Sequence, residues 1–140
     1  MSFPYFTAAT ASFVGVFQMI LTLFVAFGRG KYRTSLGDGG HPALLTRIRV
    51  HGNLAENAPL FLILLAIVEA SGQWPAQVPY FAAGFILARL SHVAGLNIGP
   101  GANPFRFVGV VGTVVAIVGL SVLLLVSLSR DTHWLPFQPQ

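Results

Sequence analysis

Two stretches of this chain rule out most water-soluble folds. Phe3 to Phe27 is a run of 25 residues without a charged side chain, and Phe107 to Ser129 is another of 23. Each exceeds the roughly 20 apolar residues that a helix needs to cross about 30 Å of hydrocarbon. A soluble fold would have to cover both runs with polar elements, and the polar sequence for that is lacking. Only 9% of the 140 residues are charged and 54% are hydrophobic, with a mean hydropathy of +0.73, whereas a soluble domain carries about 25% charged residues. The chain therefore reads as an all-α integral membrane protein. The first run is expected to stay in the membrane and not to act as a cleavable leader, because Met1-Ser2-Phe3-Pro4 has no basic side chain and the apolar stretch outruns a signal core of about 7–15 residues.

Four transmembrane helices are expected, at about residues 4–27, 42–70, 78–98 and 105–128, in a single domain spanning 1–140. Pro4 suits a first helical turn. The polar, glycine-rich segment from Gly28 to His41 reads as the longest loop, broken most strongly at Gly37-Asp38-Gly39-Gly40. The second helix has a polar first half and an apolar second half. It should start outside the hydrocarbon and be ended by Ser71-Gly72-Gln73-Trp74-Pro75, where Trp74 suits the interface. Gly99-Pro100-Gly101 stops the third helix. Asn103-Pro104 then reads as an N-cap followed by proline at the first helical position. Gly109, Gly112, Thr113, Ala116 and Gly119 place small residues on one side of the fourth helix, a pattern that lets helices approach closely in lipid.

The net charge of +4 comes without a basic, aromatic-interleaved patch, so nucleic acid is not an expected partner. The basic residues report orientation instead. Arg29, Lys31 and Arg33 lie in the first loop, with Arg47 and Arg49 just beyond, and Arg106 flanks the third loop. Loops 28–41 and 99–103 are expected to face the cytoplasm and both termini the outside. Cysteine is absent, which removes disulfides and thiolate nucleophiles of the chain's own. His41, His51, His92 and His133 have no zinc-ligand spacing, so no metal site is expected.

Ionisable groups in a membrane span cost about 2.5–3.5 kcal/mol each on insertion scales, which makes them functional candidates. Arg49, Asn53 and Glu56 are spaced i, i+4, i+7 and fall within about 60° of one another on a helix, with Arg47 and His51 nearly opposite. Arg89 and His92 are one turn apart on the third helix, and Arg106 stands at the mouth of the fourth. All lie toward one end of the bundle. A pocket built from them is expected to be cationic at its base, with Arg49, Arg89 and Arg106 outnumbering Glu56. It would suit a ligand bearing carboxylates and an amine. The bland reading is an Arg49–Glu56 pair, bridged by Asn53, that glues helices together.

The segment Arg47-Ile-Arg49-Val-His51-Gly-Asn53-Leu-Ala-Glu56-Asn57-Ala-Pro59-Leu60-Phe61 resembles the signature of the MAPEG family, the membrane-associated proteins in eicosanoid and glutathione metabolism. Arginine, asparagine at +4, glutamate at +7 and then Pro-Leu-Phe stand in the family's register. Ala88-Arg89 with His92, and Pro104-Phe105-Arg106, are similar to the third helix and fourth-helix entry of its prostaglandin E synthase branch. The Gly-rich first loop looks more like the bacterial members, which implies a bacterial inner membrane.

The resemblance implies a homotrimer of four-helix subunits, a state for which the small face of helix four offers physical support. It also implies glutathione as co-substrate, held between subunits by Arg49, Asn53, Glu56, Arg89 and His92. Glu56 would receive the amine and Arg49 a carboxylate, while Arg106 would stabilise the thiolate as the catalytic residue. The second substrate would be a lipophilic electrophile dissolved among the membrane lipids, and the activity that of a transferase or peroxidase. Two positions depart from many catalytic members, with Asn57 and Leu96 where they carry tyrosines, which removes aromatic contacts to glutathione. A non-catalytic lipid-binding or activating protein of the same fold and a small transporter or channel subunit are the other classes that these residues admit.

Overall fold

In the computed structural model, which describes residues 3–99, 101 and 103–130, the chain forms α1 (Tyr5–Tyr32), α2 (Pro42–Ser71), α3 (Val78–Ile98) and α4 (Pro104–Arg130). Each is long and apolar enough to cross a membrane. The second and third helices lie within a residue of where the sequence places them. Met1, Ser2, Pro100 and His133 fall outside the described residues.

The first helix departs most from expectation. It runs on through Gly28-Arg29-Gly30-Lys31 to Tyr32. Hydropathy marks where the hydrocarbon ends, which here is not where the helix ends. Arg29 and Lys31 sit in the last turn, where positive charge opposes the negative end of the helix dipole. Arg33 then closes the helix in a left-handed conformation at φ 51°, its N–H directed at the carbonyls of Arg29 and Gly30. Gly28 does not break the helix but lets α2 approach. A Cβ there would lie 2.9 Å from Leu44 Cδ1 and 3.3 Å from Arg47 Cδ.

One end of the bundle is tied by side chains. The Glu69 carboxylate, in the last turn of α2, accepts hydrogen bonds from Phe6 N (2.9 Å), Thr7 N (2.8 Å) and Thr7 Oγ1 (2.7 Å). It thereby supplies the first turn of α1 with the anionic acceptor that its own sequence lacks. Trp74 Nε1 donates to Ser127 Oγ at 2.8 Å, and Arg130 lies over the Trp74 ring. The start of α1, the α2–α3 connection and the end of α4 therefore share this end, and the other two loops share the opposite one.

The core lies between α2 and α3, where Phe61 and Phe85 stack with centroids 3.8 Å apart, joined by Leu54, Leu65, Val68 and Leu120. The small residues of α4 face α3 of the same chain. A Cβ on Gly109 would meet His92, one on Gly112 would meet Ala88, and one on Gly119 would meet Phe81. This corrects an expectation: the small face makes an intrachain contact and so gives no support to trimer formation.

Candidate functional site

The polar first half of α2 sorts its side chains as helical periodicity requires. Arg47 Nη1 donates to Phe24 O at 3.0 Å and His51 Nε2 lies 3.1 Å from Thr22 Oγ1, both against α1. Arg49, Asn53 and Glu56 face the other way. They line a cleft of about 930 Å³ together with Gly37 and Asp38 of the first loop, His92 and Leu96 of α3, and Arg106 and Val110 of α4. Arg49 and Glu56 are exposed, and Asn53 is half-buried. Among the described residues neither the Arg49 nor the Glu56 side chain has a hydrogen bond or ion pair, so the intrahelical pair does not form.

Arg106 is held in place by its neighbours. Asn103 caps α4 as the sequence suggests, its Oδ1 accepting from Arg106 N at 2.9 Å, while its Nδ2 donates to Gly95 O at 2.7 Å. Gly95 leaves room for this, since a Cβ there would lie 2.8 Å from Arg106 Cα. The guanidinium thus springs from a capped first turn pinned to α3.

Of the six residues singled out from the sequence, five line the cleft and Arg89 does not. Arg89 is 3% exposed and lies behind Asn53. Its Nη1 donates to Asn53 Oδ1 at 2.5 Å, and its Nη2 donates to Gly109 O at 2.8 Å and to Thr113 Oγ1. The Phe85 ring lies 5.7 Å away. All its hydrogen-bond partners are neutral, so this cation joins α2, α3 and α4 through acceptors alone. Among the described residues, Arg89 Nε and His92 Nδ1 are buried without a hydrogen-bond partner.

The charge balance of the lining also differs from expectation. Asp38, a residue of the first loop, joins Glu56, and Arg49 and Arg106 line the same cleft. One Asp38 oxygen accepts from Gly40 N at 3.1 Å. The lining therefore has two cations and two anions, with Arg89 behind it, and not an excess of arginine. Thr113 and the Gly109 carbonyl, also missed, could be found only once the α3–α4 crossing is known. Among the described residues no group of His, Asp and Glu is placed to hold a metal ion. A cleft with both signs of charge, amide and imidazole groups, and Leu45, Ile48, Leu96 and Val110 beside them can hold a zwitterionic ligand against an apolar one.

A model of the MAPEG family matches residues 7–126. The chain belongs to the MAPEG family. Two curated relatives, each called inner membrane protein YecN, come from Escherichia coli strains K12 and O6:H1. Each is 33% identical over 69 residues, covering 49% of this chain and 53% of the relative. The chain thus spans about half the length of the curated relatives it matches. No solved structure matches the chain.

Proposed function

We propose that this MAPEG protein is a glutathione-dependent membrane transferase or peroxidase acting on a lipophilic electrophile. The observation that carries the reading is the convergence of Arg49, Asn53, Glu56, His92 and Arg106 on one cleft at one end of a four-helix membrane bundle. Glutathione carries two carboxylates and one ammonium. Arg49 binds a carboxylate, since guanidinium matches that group in charge and geometry. Glu56 receives the ammonium, and Arg106 stabilises the thiolate. A volume of about 930 Å³ is within the usual range for sites that enclose a small molecule. The apolar residues beside these groups offer the second substrate a place next to the sulfur. A soluble tripeptide enters from the water at the bundle end, and the electrophile enters from the bilayer.

The reading includes assembly as a homotrimer and residence in a bacterial inner membrane, with loops 28–41 and 99–103 cytoplasmic. The name of the Escherichia coli relatives supports the location. Calorimetric titration of detergent-purified protein with glutathione tests binding, and a conjugation assay with a lipophilic electrophile tests catalysis. Saturable binding with turnover is the expected result. Binding without turnover would favour a lipid-binding or activating role, and absence of binding would favour a transporter or channel subunit. Native mass spectrometry should show three chains.

A further inference from the structure

We propose that Arg89 is a positioning residue that fixes the hydrogen-bonding polarity of Asn53, so that Asn53 offers the cleft N–H donors only and reads an oxygen of the ligand. The proposal rests on the glutathione reading and adds to it a part for a residue outside the cleft lining.

The oxygen and nitrogen of an asparagine amide are ordinarily told apart only by their neighbours. Here the neighbour decides. A guanidinium has donors and no acceptor, so the Asn53 atom 2.5 Å from Arg89 Nη1 must be the oxygen. The reverse orientation would set N–H against N–H beside a buried guanidinium. Arg89 cannot turn away to permit it, because Nη2 is held by Gly109 O and Thr113 Oγ1. The Thr113 hydroxyl proton goes to Gly109 O at 2.8 Å, which leaves an oxygen lone pair for Arg89.

The remaining groups of Asn53 are accounted for. Its backbone carbonyl accepts from Asn57 Nδ2 at 2.8 Å. Its own Nδ2 has no partner among the described residues and is not among the buried polar atoms that lack one. It is therefore accessible, on a side chain that lines the cleft. A position that only donates selects a carboxylate or carbonyl oxygen and rejects an ammonium. Asn53 and Glu56, one turn apart, thus impose opposite demands, which orients a ligand carrying both charges.

The test uses full-length protein in detergent with asparagine labelled with nitrogen-15. The chain has four asparagines, so Asn53→Asp identifies the signal by subtraction. Without ligand, the Asn53 amide protons should exchange freely with water, and glutathione should slow them. Protection in the ligand-free protein would overturn the proposed polarity whether or not glutathione binds. Asn53→Asp keeps an acceptor for Arg89 but presents an oxygen to the cleft, so glutathione affinity should fall about ten- to hundredfold. Equal or tighter binding would mean that Asn53 accepts from the ligand, and the proposal would fail. Arg89→Lys retains a donor and should preserve both free exchange and affinity. Arg89→Met should leave the amide in two orientations and weaken binding as Asn53→Asp does. If wild type shows free exchange but binds no glutathione, the glutathione reading fails and the polarity stands.

Discussion

Replacing Gly109 with alanine should force α3 and α4 apart. An alanine Cβ would lie 2.5 Å from His92 Cβ and 2.7 Å from both His92 Cα and N, whereas carbon atoms rest about 3.5–4.0 Å apart. The helices must separate by roughly 1 Å to restore contact. Overpacking of this kind costs about 1–3 kcal/mol. The upper half of that range is expected, because most of what Gly109 faces is backbone that cannot swing aside. The shift also carries Gly109 O away from Arg89 Nη2 and loosens a buried cation. Unfolding by a denaturing detergent, followed by helical circular dichroism in mixed micelles, reads the loss. Gly84→Ala is the control, since a Cβ there meets nothing within 4 Å. It should be neutral, or stabilising by up to about 1 kcal/mol through helix propensity. Equal stability of Gly109→Ala and Gly84→Ala would refute the close crossing.

Glu69→Gln keeps an acceptor but removes the anion from the first turn of α1. It should cost about 1–2 kcal/mol of stability in the same detergent assay and leave glutathione affinity unchanged, because its Cα lies about 20 Å along α2 from that of Glu56. Glu56→Gln should do the reverse, lowering glutathione affinity by about 1.5–3 kcal/mol in calorimetry with little change in unfolding. Single cysteines at Ser35 and Gly72, in a chain without cysteine, should be labelled from opposite sides of the membrane by an impermeant thiol reagent. Labelling from one side would contradict the topology.

How legible the site was depends on which force places each residue. Arg49, Asn53 and Glu56 could be read as one stripe because helical periodicity alone puts them there, and the Asn103 cap because it is local in sequence. Arg89 looked like a cleft residue for the same reason. Its inward placement depends on Thr113 and Gly109 O, which no periodicity on α3 reveals. Asp38 reaches the cleft through a loop path that glycines leave open. Glu69 had a faint signal: a lone carboxylate closing an apolar run, in a chain whose first helix starts without an acidic residue. The end of α1 was misplaced because the glycines at 28 and 30 look like breakers, whereas Gly28 serves helix packing.

The most direct test of the account is the ultraviolet thiolate absorbance of bound glutathione, titrated with pH. A free thiol with a pKa of about 8.5 is only a few per cent ionised at pH 7. Lowering that pKa by about two units requires roughly 2.7 kcal/mol of preference for the anion. A guanidinium about 4 Å away supplies about 4 kcal/mol at an effective dielectric constant near 20, so a single arginine in the part proposed for Arg106 is enough. A thiolate signal at neutral pH is expected on saturating wild-type protein, with Arg106→Ala shifting the titration back toward free glutathione while retaining much of the affinity. A wild-type protein that binds glutathione as the neutral thiol, or an Arg106→Ala variant with an unchanged thiolate signal, would contradict it.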